Sequence, residues 1–92
     1  MLFDVVSVKP QKDFYLVLEF ENGERRLFDM RPLLEQKPWD RIANLHLFEC
    51  ARVDYGTVVW PGEVDIAPET LYDESTPIEK DVSNQSFQRG TR

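Results

Sequence analysis

The sequence predicts an α+β fold, with a small, mainly antiparallel sheet of about five short strands and two or three short helices in a single domain. Three observations carry this reading. Apolar residues alternate from Phe14 to Phe20, an Asn22-Gly23 pair follows directly, and prolines interrupt the helix-compatible stretches downstream.

The alternation places Phe14, Leu16, Leu18 and Phe20 on one face and Tyr15, Val17 and Glu19 on the other, the pattern of a half-buried strand. Asn22-Gly23 supplies the two positive-φ residues of a type I′ hairpin turn, so the run from Arg25 to Asp29 returns antiparallel. With a two-residue loop, Glu21 opposes Glu24, Glu19 opposes Arg26 and Leu18 opposes Leu27. The Glu19–Arg26 pair then stabilises the register by roughly 0.2–1 kcal/mol. Upstream, Phe3 to Pro10 is rich in β-branched residues and pairs beside the first hairpin strand, with Pro10 marking its end.

Pro32 suits a first helical turn and Pro38 closes it by residue 37. A second short helix starts at Asp40 as N-cap and presents Ile42, Leu45 and Phe48 to the sheet. The next hairpin turns at Tyr55-Gly56, and its second strand is Val58 to Trp60. Pro61-Gly62 makes a corner, and Pro68 opens a helical turn docked by Leu71 and Tyr72. Residues 1–75 are thus one α+β domain, and residues 76–92, polar and without periodicity, are a mobile C-terminal tail.

The chain has 92 residues and a formal net charge of −6, unevenly spread. Nine acidic and eight basic residues lie between positions 1 and 52, whereas positions 53 to 79 hold seven acids and no base. Nucleic-acid binding relies on lysine and arginine to displace counterions, so it is disfavoured, although Arg25, Arg26 and Arg31 are candidates for it. A basic protein partner suits the acidic stretch better. No leader or membrane-spanning run is evident, and the single cysteine, Cys50, fits a reducing, cytoplasmic setting. Cys50 is read as a buried packing residue and His46 as a partly exposed helix histidine without a nucleophile to activate.

Glu63, Asp65 and Glu69 are the carboxylates on which general acid–base or metal chemistry would rest. No lysine or histidine lies near them in sequence, and the alternating ligands of a calcium loop are missing, so no catalytic residue, metal or cofactor is assigned. Asp65 is read as a brace, its side chain accepting backbone N–H groups before Pro68. Trp39 and Trp60 are read mainly as core residues, with Trp60 also bordering the acidic stretch.

The stretches "FENGERRLFDMRPLL" and "VVWPGEVDIAPETLY" resemble the bacterial domain-of-unknown-function family 2442 over residues 3 to 75. The shared features are a Phe-x-Asn-Gly-Glu hairpin, a Phe-Asp entry into a short helix with paired leucines, and a late Trp-Pro followed by Asp-Ile and Pro-Glu-x-Leu-Tyr. The resemblance implies a small α+β domain without an assigned activity. Some similar members carry a helix-turn-helix after the domain, and the gene context of the family implies a regulatory or antitoxin-like role. The residues after Ser75 are too short and too weakly apolar to supply that helix-turn-helix.

The sequence therefore leads to a non-enzymatic interaction module that offers an acidic surface, with Glu63, Asp65, Glu69 and Trp60 as partner-binding residues. Self-association into a homodimer through a strand edge is a second form of the same reading. The alternative is a small-ligand or metal-dependent enzyme built on the Glu63, Asp65 and Glu69 carboxylates.

Overall fold

The computed structural model describes residues 3–78. Four antiparallel strands, β1 (Val5–Pro10), β2 (Tyr15–Phe20), β3 (Arg25–Asp29) and β7 (Thr76–Pro77), form one sheet in the order β1-β2-β3-β7. A second sheet holds β4 (Arg52–Asp54), β5 (Thr57–Trp60) and β6 (Val64–Ile66). The helical content is α1 (Leu45–Phe48), α2 (Pro68–Asp73) and 3-10 turns at Leu33–Glu35 and Trp39–Ile42.

Mixed α and β structure therefore holds, but the described residues form seven strands in two sheets rather than one sheet of about five. The additional strands are β6 and β7, too short to show a periodic signal. Thr76 and Pro77 pair with Leu27 and Arg26, so regular structure continues into the first residues of the expected tail. Residues 79–92 of that tail lie outside the described residues.

The β2–β3 hairpin differs from expectation by one residue. Gly23 N–H donates to the Phe20 carbonyl at 2.9 Å, and Phe20 N–H donates to the Glu24 carbonyl at 2.9 Å, enclosing a three-residue loop. Only Gly23 takes a positive φ, +88°, while the Asn22 side chain accepts from Glu24 N–H at 3.1 Å. This is a turn completed by a left-handed glycine bulge, in place of the two-residue I′ turn. Glu19 consequently faces Arg25, and Arg26 faces Leu18 on the core side of the sheet.

Both sheets feed one core. Val5, Leu16, Leu18, Phe20, Phe28 and Met30 come from the first sheet and its exit, and Val58, Trp60, Val64 and Ile66 from the second. Ile42 and Phe48 enter from the helical segments and Leu71 from α2. The helix expected from Asp40 to Phe48 is broken at Ala43, and Asn44 replaces Asp40 as the cap of the second piece. Asn44 is extended, and its Oδ1 accepts from His46 N–H at 2.9 Å and Leu47 N–H at 3.3 Å.

Among the sheet edges, β7 is two residues long and contains Pro77, and β1 carries a bulge between Val5 and Ser7 and ends at Pro10. Side chains cover β6: Trp39 Nε1–H donates to the Asp65 carbonyl at 2.9 Å, and Arg41 Nη1–H to the Gly62 carbonyl at 3.2 Å. Such devices discourage pairing with further strands.

The β4–β5 turn forms as expected at Tyr55-Gly56, with φ of 53° and 74°. Gly56 also receives the N-terminal strand, accepting from Val5 N–H at 2.9 Å. Phe14 shares the left-handed conformation, at φ 66°, but its ring packs on Phe48 with centroids 5.0 Å apart. Tyr55 has no such compensation and is 92% exposed. Substituting Tyr55→Asn, the residue type a I′ turn favours, is expected to raise stability by about 0.5–1 kcal/mol. Gly23→Ala is expected to lower it by about 1 kcal/mol. Urea titration with an unchanged m-value would check both, and a loss of stability in Tyr55→Asn would contradict the strain argument.

Candidate functional site

The acidic residues predicted for partner binding sit on β6, its preceding turn and α2. Proline and glycine direct this path locally: Gly62 and Glu63 adopt φ of 87° and 64° to turn the chain from β5 into β6, and Pro68 starts α2 at its first position. Glu63, Asp65 and Glu69 are all exposed. Among the described residues, no three histidine, cysteine or acidic side chains are grouped closely enough to hold a metal ion.

Trp60 does not belong to this surface. It is 1% exposed, its Nε1–H donates to the Phe48 carbonyl at 3.0 Å, and its ring stacks on Phe48. Its pairing with Val64 puts it on the core face of β5, where the indole N–H satisfies a carbonyl at the end of α1. Asp65 braces its segment differently from expectation: its backbone carbonyl receives the Trp39 indole, and its carboxylate makes no hydrogen bond among the described residues. Cys50 is exposed rather than buried, because α1 ends at Phe48 and the thiol turns back to the His46 carbonyl at 3.3 Å. His46 is exposed.

The arginines are mostly occupied. Arg31 donates through Nε and Nη2 to the two oxygens of Asp29 at 2.9 Å each, and through Nη2 to the Tyr15 hydroxyl at 2.7 Å. This pairing holds the Asp29 carboxyl below its usual range and the guanidinium above its own. The Arg26 side chain, 12% exposed, donates to Ser75 Oγ at 2.7 Å, the Ser75 carbonyl at 2.8 Å and Glu24 Oε1 at 2.7 Å. Arg25 and Arg31 are both exposed, and Arg25 makes no side-chain hydrogen bond or ion pair among the described residues.

Sequence reasoning missed the Arg26 group, which fixes the acidic helix to the sheet. The Arg26 guanidinium lies 4.3 Å from the Tyr72 ring centroid, and Tyr72 Oη–H donates to Glu24 Oε2 at 2.5 Å. Tyr72 also meets Phe20 edge-on at 5.1 Å, and Ser75 Oγ–H donates to the Tyr72 carbonyl at 2.9 Å. The sequence signal was the two-residue spacing of Glu24, just before β3, and Arg26 within it, an opposite-charge pair that extended backbone brings to one side.

Two adjoining open grooves lie at the start of the first 3-10 turn, and the first of them also borders this helix. One, of about 340 Å³, is lined by Phe28, Asp29, Pro32, Leu33, Thr70 and Glu74. Its neighbour, about 530 Å³, is lined by Asp29, Arg31, Pro32 and Glu35.

Hydrogen bonds from Tyr72, Asn22 and Arg26 keep the Glu24 carboxyl below the usual carboxylate range, and its bond to Glu24 raises the Tyr72 phenol. A carboxyl lowered on folding contributes stability that is present above its unfolded pKa and is lost as pH falls through the folded value. A phenol raised on folding contributes stability below its unfolded pKa, lost as pH rises through the folded one. Glu24→Gln is therefore expected to flatten the acid limb below about pH 4.5 and Tyr72→Phe the alkaline limb above about pH 10, leaving the contribution of Asp29 to the acid limb. Thermal melts across pH would read this. Separately, Trp39→Phe is expected to cost about 1 kcal/mol by freeing the Asp65 carbonyl, while Asp65→Ala stays within about 0.5 kcal/mol of the parent.

No curated protein and no solved structure matches the chain. A sequence profile described as "Protein of unknown function (DUF2442)" matches residues 5–77, from the first residue of β1 to the last of β7. The chain belongs to the DUF2442 family.

Proposed function

We propose that this chain is a non-enzymatic protein-interaction module that presents the acidic surface of β6 and α2 to a basic partner, in a cytoplasmic regulatory or antitoxin-like role. The observation that carries the reading is the state of its carboxylates. Glu63, Asp65, Glu69, Asp73 and Glu74 are all exposed, and none makes an ion pair among the described residues. Uncompensated like charges on one stretch repel each other and attract a cationic surface, which raises association rates and rejects acidic partners.

The covered β6 edge and the short, proline-containing β7 favour recognition through side chains over strand addition. The partner surface is accordingly Glu63, Asp65 and Glu69 together with the last turn of α2, without the buried Trp60.

The test is affinity capture from the native cell at low salt, with the parent chain and a Glu63→Lys/Asp65→Lys/Glu69→Lys variant as baits. The parent is expected to retain a basic protein that is released near 0.5 M salt, where the screening length falls to about 4 Å. The variant, shown by circular dichroism to be folded, is expected to retain none of it. Capture that survives charge reversal, or recovery of the bait alone, would overturn the reading.

A further inference from the structure

We propose that the groove between β3, the Leu33–Glu35 turn and α2 is the anchor point of this interaction, taking an arginine or lysine side chain flanked by an apolar residue from the partner. This rests on the reading of the acidic surface as a docking face and specifies where on that face the contact is made.

The groove joins two kinds of wall. Buried Phe28, half-buried Leu33 and the Pro32 ring supply apolar surface, while Asp29 and Glu74 stand at its rim and Thr70 adds a hydroxyl. Its volume of about 340 Å³ is large enough for one long side chain and the residue beside it. Arginine and lysine match such a site because their methylene stems lie along apolar surface while the charged head reaches carboxylates.

Charge complementarity selects a cation. Asp29 is already matched by Arg31, whose Nε and Nη2 are committed to it and whose Nη2 also engages Tyr15. That pairing leaves Glu74 uncompensated, as well as Glu35 in the adjoining groove, since neither makes an ion pair among the described residues. The position of Glu74 adds to the demand. It is the C-cap of α2, its N–H is held by the Thr70 carbonyl at 3.0 Å, and the last turn of the helix carries no basic residue. The negative end of a helix prefers a cation, and here it carries Asp73 and Glu74 instead. A guanidinium or ammonium from a partner would supply the missing charge.

The position of the groove suits recognition by a rigid element. Thr70 and Glu74 lie one turn apart on the same side of α2, Leu71 is buried in the core, and the neighbouring Tyr72 is fixed to Glu24, Phe20 and Arg26. The wall of the groove is thus preorganised.

Titration of the full ¹⁵N-labelled chain with the peptide acetyl-Leu-Arg-Leu-Lys amide, followed by two-dimensional NMR, tests the proposal. Shifts are expected to concentrate at residues 28–33 and 70–74. Affinity is expected to fall about tenfold in Glu74→Lys and less in Glu74→Gln, with no response to acetyl-Leu-Glu-Leu-Glu amide. Thermal melts of both variants establish that they fold. Shifts confined to residues 63–67 would overturn the groove while leaving the acidic docking face in place, and no response anywhere would overturn both. Equal binding of the acidic peptide would remove charge as the selector. Concentration-dependent shifts of the same residues without peptide would assign the groove to a second copy of the chain and overturn the basic partner.

Discussion

The register of the β2–β3 hairpin is the constraint on which the rest of this fold depends. With Gly23 as a left-handed bulge, Arg26 pairs with Leu18 and its guanidinium enters the core side of the sheet. With a two-residue loop it would face Glu19 at the solvent surface instead, because a slip of one residue sends every side chain on a strand to the opposite face. The chosen register brings Arg26 under Tyr72 and against Ser75, and lets Glu24 accept from both Arg26 and Tyr72.

That cluster ties the end of the chain to its beginning. Arg26 and Ser75 are 49 residues apart in sequence, and Glu24 and Tyr72 are 48 apart. Once joined, they place α2 across the first sheet and lead Thr76–Pro77 alongside β3. A half-buried arginine with all three of its nitrogens bonded is a specific tie, since each bond needs its partner at one position and an orphaned donor there costs about 1–3 kcal/mol. The acidic helix is held by its Tyr72 face, and Glu69, Asp73 and Glu74 are left exposed to solvent.

The second sheet solves a different problem. Its strands are three or four residues long, too short to be stable alone, and they are secured by side chains that satisfy backbone groups. Trp39 and Arg41 bond to carbonyls around β6, the Thr57 hydroxyl donates to the Ile66 carbonyl, and Trp60 reaches the end of α1. Both tryptophans thus act through the indole N–H as well as through packing, which withdraws Trp60 from any surface role. The carboxylates of the candidate site remain outside these networks, so the charges and the scaffold that carries them are separable.

The sequence by itself determined the strands with strong alternation, the positions of the turns, and the imbalance that leaves residues 53 to 79 without a base. These are local properties: a strand face is set by residues two apart, a turn by a glycine or proline, and a net charge by composition. Only the tertiary structure decided the hairpin register, the exposure of Cys50, the two-residue β7 and the groove beside α2. Asn22-Gly23 is compatible with either loop length, and the selection comes from Tyr72 and Ser75, nearly fifty residues away. Local patterns carry no record of a partner so distant, and so the acidic residues were legible in the sequence while the cluster that anchors their helix was not.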